Sequence, residues 1–363
     1  MGTIPRGNML RHLRPLLCLL LCAAAASAQE TWSGVHRIVA VGDVHGDYDT
    51  FLTVLRSAGV IDKSNKWSGG DTHLVQAGDS IDRGSESRKV LDFLIGLEKQ
   101  AERSKGMVHA LLGNHEAMNI YGDLRYVSAA DYKSYRSADA VELRDRAYEN
   151  LADPAQKDNP DYRRKWEEEH PLGWVEQRQA FAANGRYGSV LLEHDAVIKI
   201  NDILFLHGGI SRKYVSTPLA ELNRRVRAEL HDFRLLNGGI AMDGEGPLWD
   251  RALATESEVP TAPLVDAILA SFGVTHVVIG HTPTAGAVMP RFGGKVILID
   301  VGLSKVFNTS PACLIVEDGK FFAMHRGTKI PLPHDTAGFT AYLRQAAELD
   351  PPGTRLRKSV GLR

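Results

Sequence analysis

The chain repeats one local pattern five times: a short β-prone run that stops at a glycine or directly at an aspartate, asparagine or histidine. The runs are RIVAVGDVHG (37–46), HLVQAGDSIDRG (73–84), HALLGNHE (109–116), ILFLHGG (203–209) and THVVIGH (275–281). Brief stretches rich in Val, Leu and Ile, bounded by turn residues, read as buried strands. Polar groups therefore collect where strands end. In sheet proteins the loops beyond the carboxyl ends of strands aim side chains into a common crevice. The pattern predicts that five such loops meet in one site.

Helical spacing lies between the runs. Asp49 to Ala58 places Phe51, Leu52, Val54, Leu55 and Ala58 on one face, and Ser87 to Leu97 repeats that spacing. Strands alternating with helices argue for an α/β or mixed α+β core. From Tyr121 to about Arg186 the texture changes to Tyr, Arg, Glu and Asp, broken by Pro154, Pro160 and Pro171. We read it as a helical insertion that directly follows GNHE and could form one wall of the site. Val296 to Asp300 and Ala312 to Val316 read as further strands, Ala337 to Leu349 as a terminal helix, and RLRKSVGLR as a frayed basic tail. With 363 residues, 44% of them apolar, the chain can bury a large core. The expectation is a single domain over 29–363 carrying the insertion at about 121–186.

The first 28 residues are set apart. MGTIPRGNMLRHLRP carries three arginines, LLCLLLCAAAA is a short apolar run, and Ala26-Ser27-Ala28 supplies small residues. That order is the order of a secretory signal peptide, with cleavage expected after Ala28. The run from Leu16 to Ala26 is shorter than the roughly 20 residues of a spanning helix, so no stable membrane insertion is expected after cleavage. Lipid attachment at Cys22 is the minor alternative, since bulky Leu21 precedes it. A cleaved chain would keep only Cys313 and form no internal disulfide. The expected location is periplasmic or secreted. Lys and Arg number 43 against 44 Asp and Glu, so no basic excess argues for nucleic acid.

The polar groups at the strand ends include Asp43, His45, Asp79, Asn114, His207 and His281, oxygen and imidazole donors without a thiolate. Such donors suit manganese, iron or zinc. Six are too many for one catalytic ion that keeps open positions, and they suit two ions sharing a carboxylate. The histidines outside the blocks, among them His73, His109, His194 and His325, read as surface or core residues.

In order and content, GDVHG, GDSIDRG, GNHE, HGG and GH resemble the signature blocks of PPP-type metallophosphatases of the calcineurin-like phosphoesterase superfamily. RYGSVLLEH, GPLWDR (246–251) and IDVGLS (299–304) are most similar to the Shewanella-like protein phosphatases. The resemblance spans roughly Val35 to Asp318. It implies a central β-sandwich flanked by helices. It further implies that Asp43 and His45 bind one divalent ion, that Asp79 bridges two, and that Asn114, His207 and His281 bind the second. A hydroxide bridging the ions would attack phosphorus in line. His115 resembles the family's general acid, with Asp82 orienting it. Arg83 and Arg251 would grip the phosphate. Asp47 and Glu116 are read as groups that start helices or support ligands.

The implied activity is metal-dependent phosphomonoester hydrolysis, on a phosphorylated protein, peptide or small phosphomonoester. Two alternatives stay open. One is a nucleotide or dinucleoside polyphosphate phosphoesterase, which DRG and GNHE argue against; the other is an exported, non-catalytic metal-binding protein. The loop IDVGLSKVF lacks the longer SAPNY-type segment of toxin-sensitive relatives, which predicts insensitivity to microcystin and a more open site on that side.

Overall fold

The computed structural model describes residues 29–307 and 310–362. The predicted signal peptide, with Cys18 and Cys22, lies outside the described residues. Two six-stranded mixed sheets face each other. The strands are β1 (Thr31–Trp32), β2 (Arg37–Val41), β3 (His73–Gln76), β4 (Met107–Ala110), β5 (Val197–Ile200) and β6 (Ile203–Leu206). They continue with β7 (His276–Ile279), β8 (Met289–Arg291), β9 (Val296–Leu298), β10 (Ala312–Glu317), β11 (Lys320–His325) and β12 (Thr328–Pro331). One sheet runs β1-β5-β6-β7-β9-β8 and the other β12-β11-β10-β2-β3-β4.

Period-two alternation explains how the first sheet is covered on both sides. Ile198, Ile203, Phe205, Val278 and Ile297 point into the sandwich and pack with β2, β3 and β10. Their neighbours Val197, Leu204, Leu206, Val277, Ile279 and Leu298 point the other way, into a second core beneath the helices Leu219–His231 and Glu258–Phe272. Cys313 is fully buried in the sandwich, as its apolar context predicts.

The strand directions position the site. β2, β3 and β4 run parallel in one sheet, and β6, β7 and β9 run parallel in the other. The carboxyl ends of both triplets lead into the same cluster of polar residues. Register keeps the endings level: Leu206 pairs with Ile279, and Ile279 with Leu298.

Helix α1 (Tyr48–Ser57) and α2 (Ser87–Glu102) follow β2 and β3, and α3 (Asn114–Tyr121) opens at the GNHE block. Asp47 caps α1, accepting from Thr50 N at 3.1 Å, while its other oxygen accepts from Lys305 N at 2.8 Å. The stretch 121–186 contains α4 (Ala129–Tyr135), α5 (Ala140–Leu151), α6 (Pro160–Glu169) and α7 (Trp174–Phe181). Tyr148 and Trp166 form a small core of their own there, and Trp174 packs edge-on against His170.

Two readings of the sequence need correction. The tail is not frayed: Arg355–Ser359 is helical, Leu356 is completely buried, and Val360 and Leu362 pack on the sandwich core. The strand before GNHE begins at Met107 and stops at Ala110, so Leu111 and Leu112 are a buried connection rather than strand.

Candidate metal centre and acid pair

Each polar block leaves its strand through a tight turn. His45, Asp79, Asp82, Arg83 and His281 all adopt left-handed backbone, with φ of 46°, 52°, 68°, 64° and 65°. Side chains rarely take that conformation, and its concentration here marks a site that its surroundings over-determine. One glycine shows how close the approach is. A Cβ on Gly113 would lie 2.2 Å from Asp79 Oδ1. Glu116, one turn into α3, ties these loops together. Its carboxylate accepts from Gly113 N, Asp79 N and Ser80 N, each at 2.8 Å.

Three imidazoles have their free nitrogen selected by backbone. His45 Nδ1 meets Ile81 O at 3.0 Å, His207 Nδ1 meets Ala77 O at 2.8 Å, and His281 Nε2 meets Trp249 O at 3.1 Å. A carbonyl only accepts, so each of these nitrogens donates, and the other ring nitrogen is the one that can offer a lone pair to a cation once it carries no proton. His45 Nε2 is 3.8 Å from both Asp43 Oδ2 and Asp79 Oδ2, and His207 Nε2 is 3.3 Å from Asp79 Oδ1 and 3.0 Å from Asn114 Oδ1. The structure thus brings the six predicted donors together around Asp79, itself one of them, and every one is buried. His45, Asp79 and His115 form one group close enough to hold a cation; Asp79, His207 and His281 form a second.

The electrostatics agree with a divalent centre. Burial, and next the neighbouring Asp300, pushes Asp43 well above the usual carboxylate range. Burial drives His45 down to about 3 and, with the His207 charge, His281 to about 2. Burial opposes the charges on His207 and Asp79, yet Asp79 and Asp43 outweigh it and raise His207 to about 10, while His207 and His115 pull Asp79 well below its ordinary value. Protons thus do what cations would do in a loaded site, and metal binding would displace them.

Beside this cluster, His115 Nδ1 lies 2.7 Å from Asp82 Oδ2, and its Nε2 faces Asp79 Oδ2 at 3.7 Å and Arg83 Nη2 at 3.5 Å. Burial lowers the imidazole's proton affinity, but Asp79 and Asp82 more than compensate, so it is raised. The Arg83 guanidinium lies 4.5 Å from the Tyr126 ring centre. Arg251 stands at the rim: its residue is exposed, and Nη1 donates to His281 O at 2.6 Å and Thr282 Oγ1 at 3.0 Å.

A model of the calcineurin-like phosphoesterase family matches residues 36–285. The chain belongs to the calcineurin-like phosphoesterases. Shewanella-like protein phosphatase 2 of Arabidopsis thaliana is 32% identical over 289 residues, 74% of this chain and 72% of the plant protein. An uncharacterized protein of Schizosaccharomyces pombe is 31% identical over 316 residues, 81% of this chain and 82% of its own. The crystal structure of a cold-active protein-tyrosine phosphatase of a psychrophilic Shewanella species shares 32% identity at a TM-score of 0.67, covering 84% of this chain and 82% of that one. This phosphoesterase is therefore a PPP-type, metal-dependent phosphatase with Shewanella-like protein phosphatases as relatives.

Several residues at the phosphoesterase centre escaped the sequence reading. Asp300 is buried beside Asp43, and burial raises it to about 6. Its signal was the IDVGLS block, which had no chemistry attached to it. Asn119 follows His115 by one helical turn and donates to both Asp82 oxygens at 3.0 Å. In the short loop after Asp300, the turn Lys305–Phe307 brings Phe307 to 5.5 Å from the His45 ring and 5.6 Å from the Arg83 guanidinium, an aromatic contact the sequence reading did not anticipate.

Proposed function

We propose that the chain is an exported protein phosphatase that hydrolyses phosphomonoesters with His115 as proton donor to the leaving group. The observation that carries the reading is the Asp82–His115 pair, aimed at Asp79 among imidazoles whose free nitrogens backbone carbonyls select. Asp43 and His45 would hold one divalent ion, Asn114, His207 and His281 a second, and Asp79 both. Manganese, iron and zinc all suit this donor set. When bound, the two ions supply the activated water and neutralise the phosphoryl oxygens.

The rest is done by side chains. Arg83 and Arg251 offer guanidinium N–H groups to phosphate oxygens as charge builds on them. Tyr126, which packs on His115 at 4.9 Å between ring centres, and Phe307 flank Arg83. An aromatic mouth of this kind favours a flat leaving group, so phosphotyrosine is the preferred substrate, in line with the name of the Shewanella relative. Export rests on the leader's composition, with Gln29 as the first mature residue. Among the described residues no helix is long and apolar enough to cross a membrane.

The test is hydrolysis of p-nitrophenyl phosphate with manganese and with EDTA, followed by phosphotyrosine and phosphoserine peptides beside dinucleoside polyphosphates. Turnover that needs metal and favours phosphotyrosine peptides supports the reading. No turnover in wild type, or full activity of His115→Asn on phosphotyrosine peptide, overturns it.

A further inference from the structure

Two hydrogen-bond chains join the helical stretch 121–186 to the Asp82–His115 pair. The first begins at Gln177 on α7, which is 1% exposed and donates Nε2 to Asn119 Oδ1 at 2.6 Å. Asn119 Nδ2 then donates to Asp82 Oδ1 and Oδ2 at 3.0 Å each, and to His115 O at 3.0 Å. The direction of this chain is forced. An ionised carboxylate only accepts, so the amide nitrogen of Asn119 must face Asp82 and its oxygen must face α7, where the partner has to be a donor.

The second chain begins at Asp131 on α4. Its carboxylate accepts from Ser87 N at 3.1 Å and from Ser87 Oγ at 2.5 Å, and Ser87 Oγ accepts from Asp82 N at 3.0 Å. Asp82 is thereby held by its backbone, in left-handed conformation, and by its carboxylate. Arg178, next to Gln177, also grips the end of α3, donating Nη1 to Asn119 O at 2.5 Å and Nη2 to Ile120 O at 3.2 Å.

We propose that Gln177, Asn119, Ser87 and Asp131 are positioning residues through which this helical stretch aligns His115 with the leaving-group oxygen. The proposal rests on His115 as proton donor. As the P–O bond breaks, its electron pair goes to the leaving oxygen, which takes the proton from His115 Nε2; the ring keeps its Nδ1 proton on Asp82. A p-nitrophenolate leaves without that proton, whereas a more basic phenolate needs it. Loss of the Gln177 donor leaves Asn119 Oδ1 unpaired in a buried site and loosens the amide that holds the Asp82 carboxylate against His115. The proton transfer then suffers while metal and phosphate binding do not.

The experiment uses full-length, metal-loaded enzyme with Gln177→Met and, on the other chain, Ser87→Ala. Values of kcat/KM are measured across aryl phosphates from p-nitrophenyl to phenyl phosphate, together with bound metal per chain. Each variant is expected to lose about tenfold on phenyl phosphate and less than about twofold on p-nitrophenyl phosphate, a fraction of the usual general-acid contribution. Metal content is expected to stay at the wild-type level, and Gln177→Met is expected to have no further effect in a His115→Asn background. Equal losses on both substrates, or a loss that persists without His115, would overturn the proposal. Inert wild-type enzyme would instead sink the proton-donor reading beneath it.

Discussion

His115 Nδ1 and Asp82 Oδ2 are 2.7 Å apart, and neither side chain is more than 2% exposed. A short, dry contact of this kind fixes both the orientation of the ring and the nitrogen that carries the outward proton. Asp82→Asn keeps the shape and reverses the chemistry. The new amide nitrogen can face His115 Nδ1 only as a donor, which opposes the imidazolium. The variant is expected to lose about 100-fold in kcat on phosphotyrosine peptide, within the range of a missing general acid, while binding wild-type amounts of metal. Steady-state kinetics and metal analysis check it; full activity would remove Asp82 from the mechanism.

Metal removal has a stability consequence as well as a catalytic one. Asp43, Asp79 and Asp300 are buried together, and in the protonic state Asp43 and Asp300 both shift upward, chiefly through burial. Cations that bind only the folded chain stabilise it by mass action, about 2.7 kcal/mol at 100 times Kd. The melting temperature is therefore expected to rise with added manganese and fall on EDTA treatment. Calorimetry over a manganese series tests this, and a metal-independent Tm would count against a built metal centre.

Gly113→Ala isolates that centre from the fold. Its Cβ would sit 2.2 Å from Asp79 Oδ1, 2.4 Å from Asp79 N and 2.9 Å from Glu116 Oε2, all polar atoms of the centre. Relief requires Asp79 to move, so the variant is expected to remain folded, at a cost of about 1–3 kcal/mol, and to lose metal. Circular dichroism with metal analysis separates the two effects.

The site was largely legible because its logic is local: each donor sits within a few residues of a strand end, and glycine marks the turn. What went unseen depends on contacts distant in sequence. Asn119 binds Asp82 across 37 residues and Gln177 binds Asn119 across 58, and neither residue type announces such a partner. Edge strands were missed for another reason. β1 has two residues, and TKIP in β12 exposes three of its four; neither carries an apolar run. The basic tail misled through composition, since Arg and Lys surround the buried Leu356.

That leucine gives a test. Leu356 is fully buried, and Thr354 caps its helix by accepting from Arg357 N. Leu356→Ala is expected to destabilise the protein by about 2–5 kcal/mol, the range for a buried leucine truncated to alanine. Urea unfolding measures it, and a change below about 0.5 kcal/mol would return the tail to the frayed state its charges suggest.

Asp131 makes stability depend on pH. Burial, only partly offset by the Ser87 hydrogen bonds, raises its carboxyl from 3.8 to about 6. The folded state therefore binds a proton that the unfolded state has released between about pH 4 and 6, and stability falls as pH rises through that window. The gap between 3.8 and about 6 corresponds to at most about 3 kcal/mol at neutral pH. Asp131→Asn keeps an acceptor for Ser87 N and cannot ionise. Ser87 Oγ loses an acceptor in the exchange, which subtracts about 1 kcal/mol from the gain. The variant is expected to gain on wild type as pH rises from 4 to 7, and to show no slope of its own from this position. Urea unfolding of both proteins at pH 5 and 7.5 tests the sign: a difference that is constant, or that shrinks toward neutral pH, would mean that Asp131 is ionised in the folded state throughout.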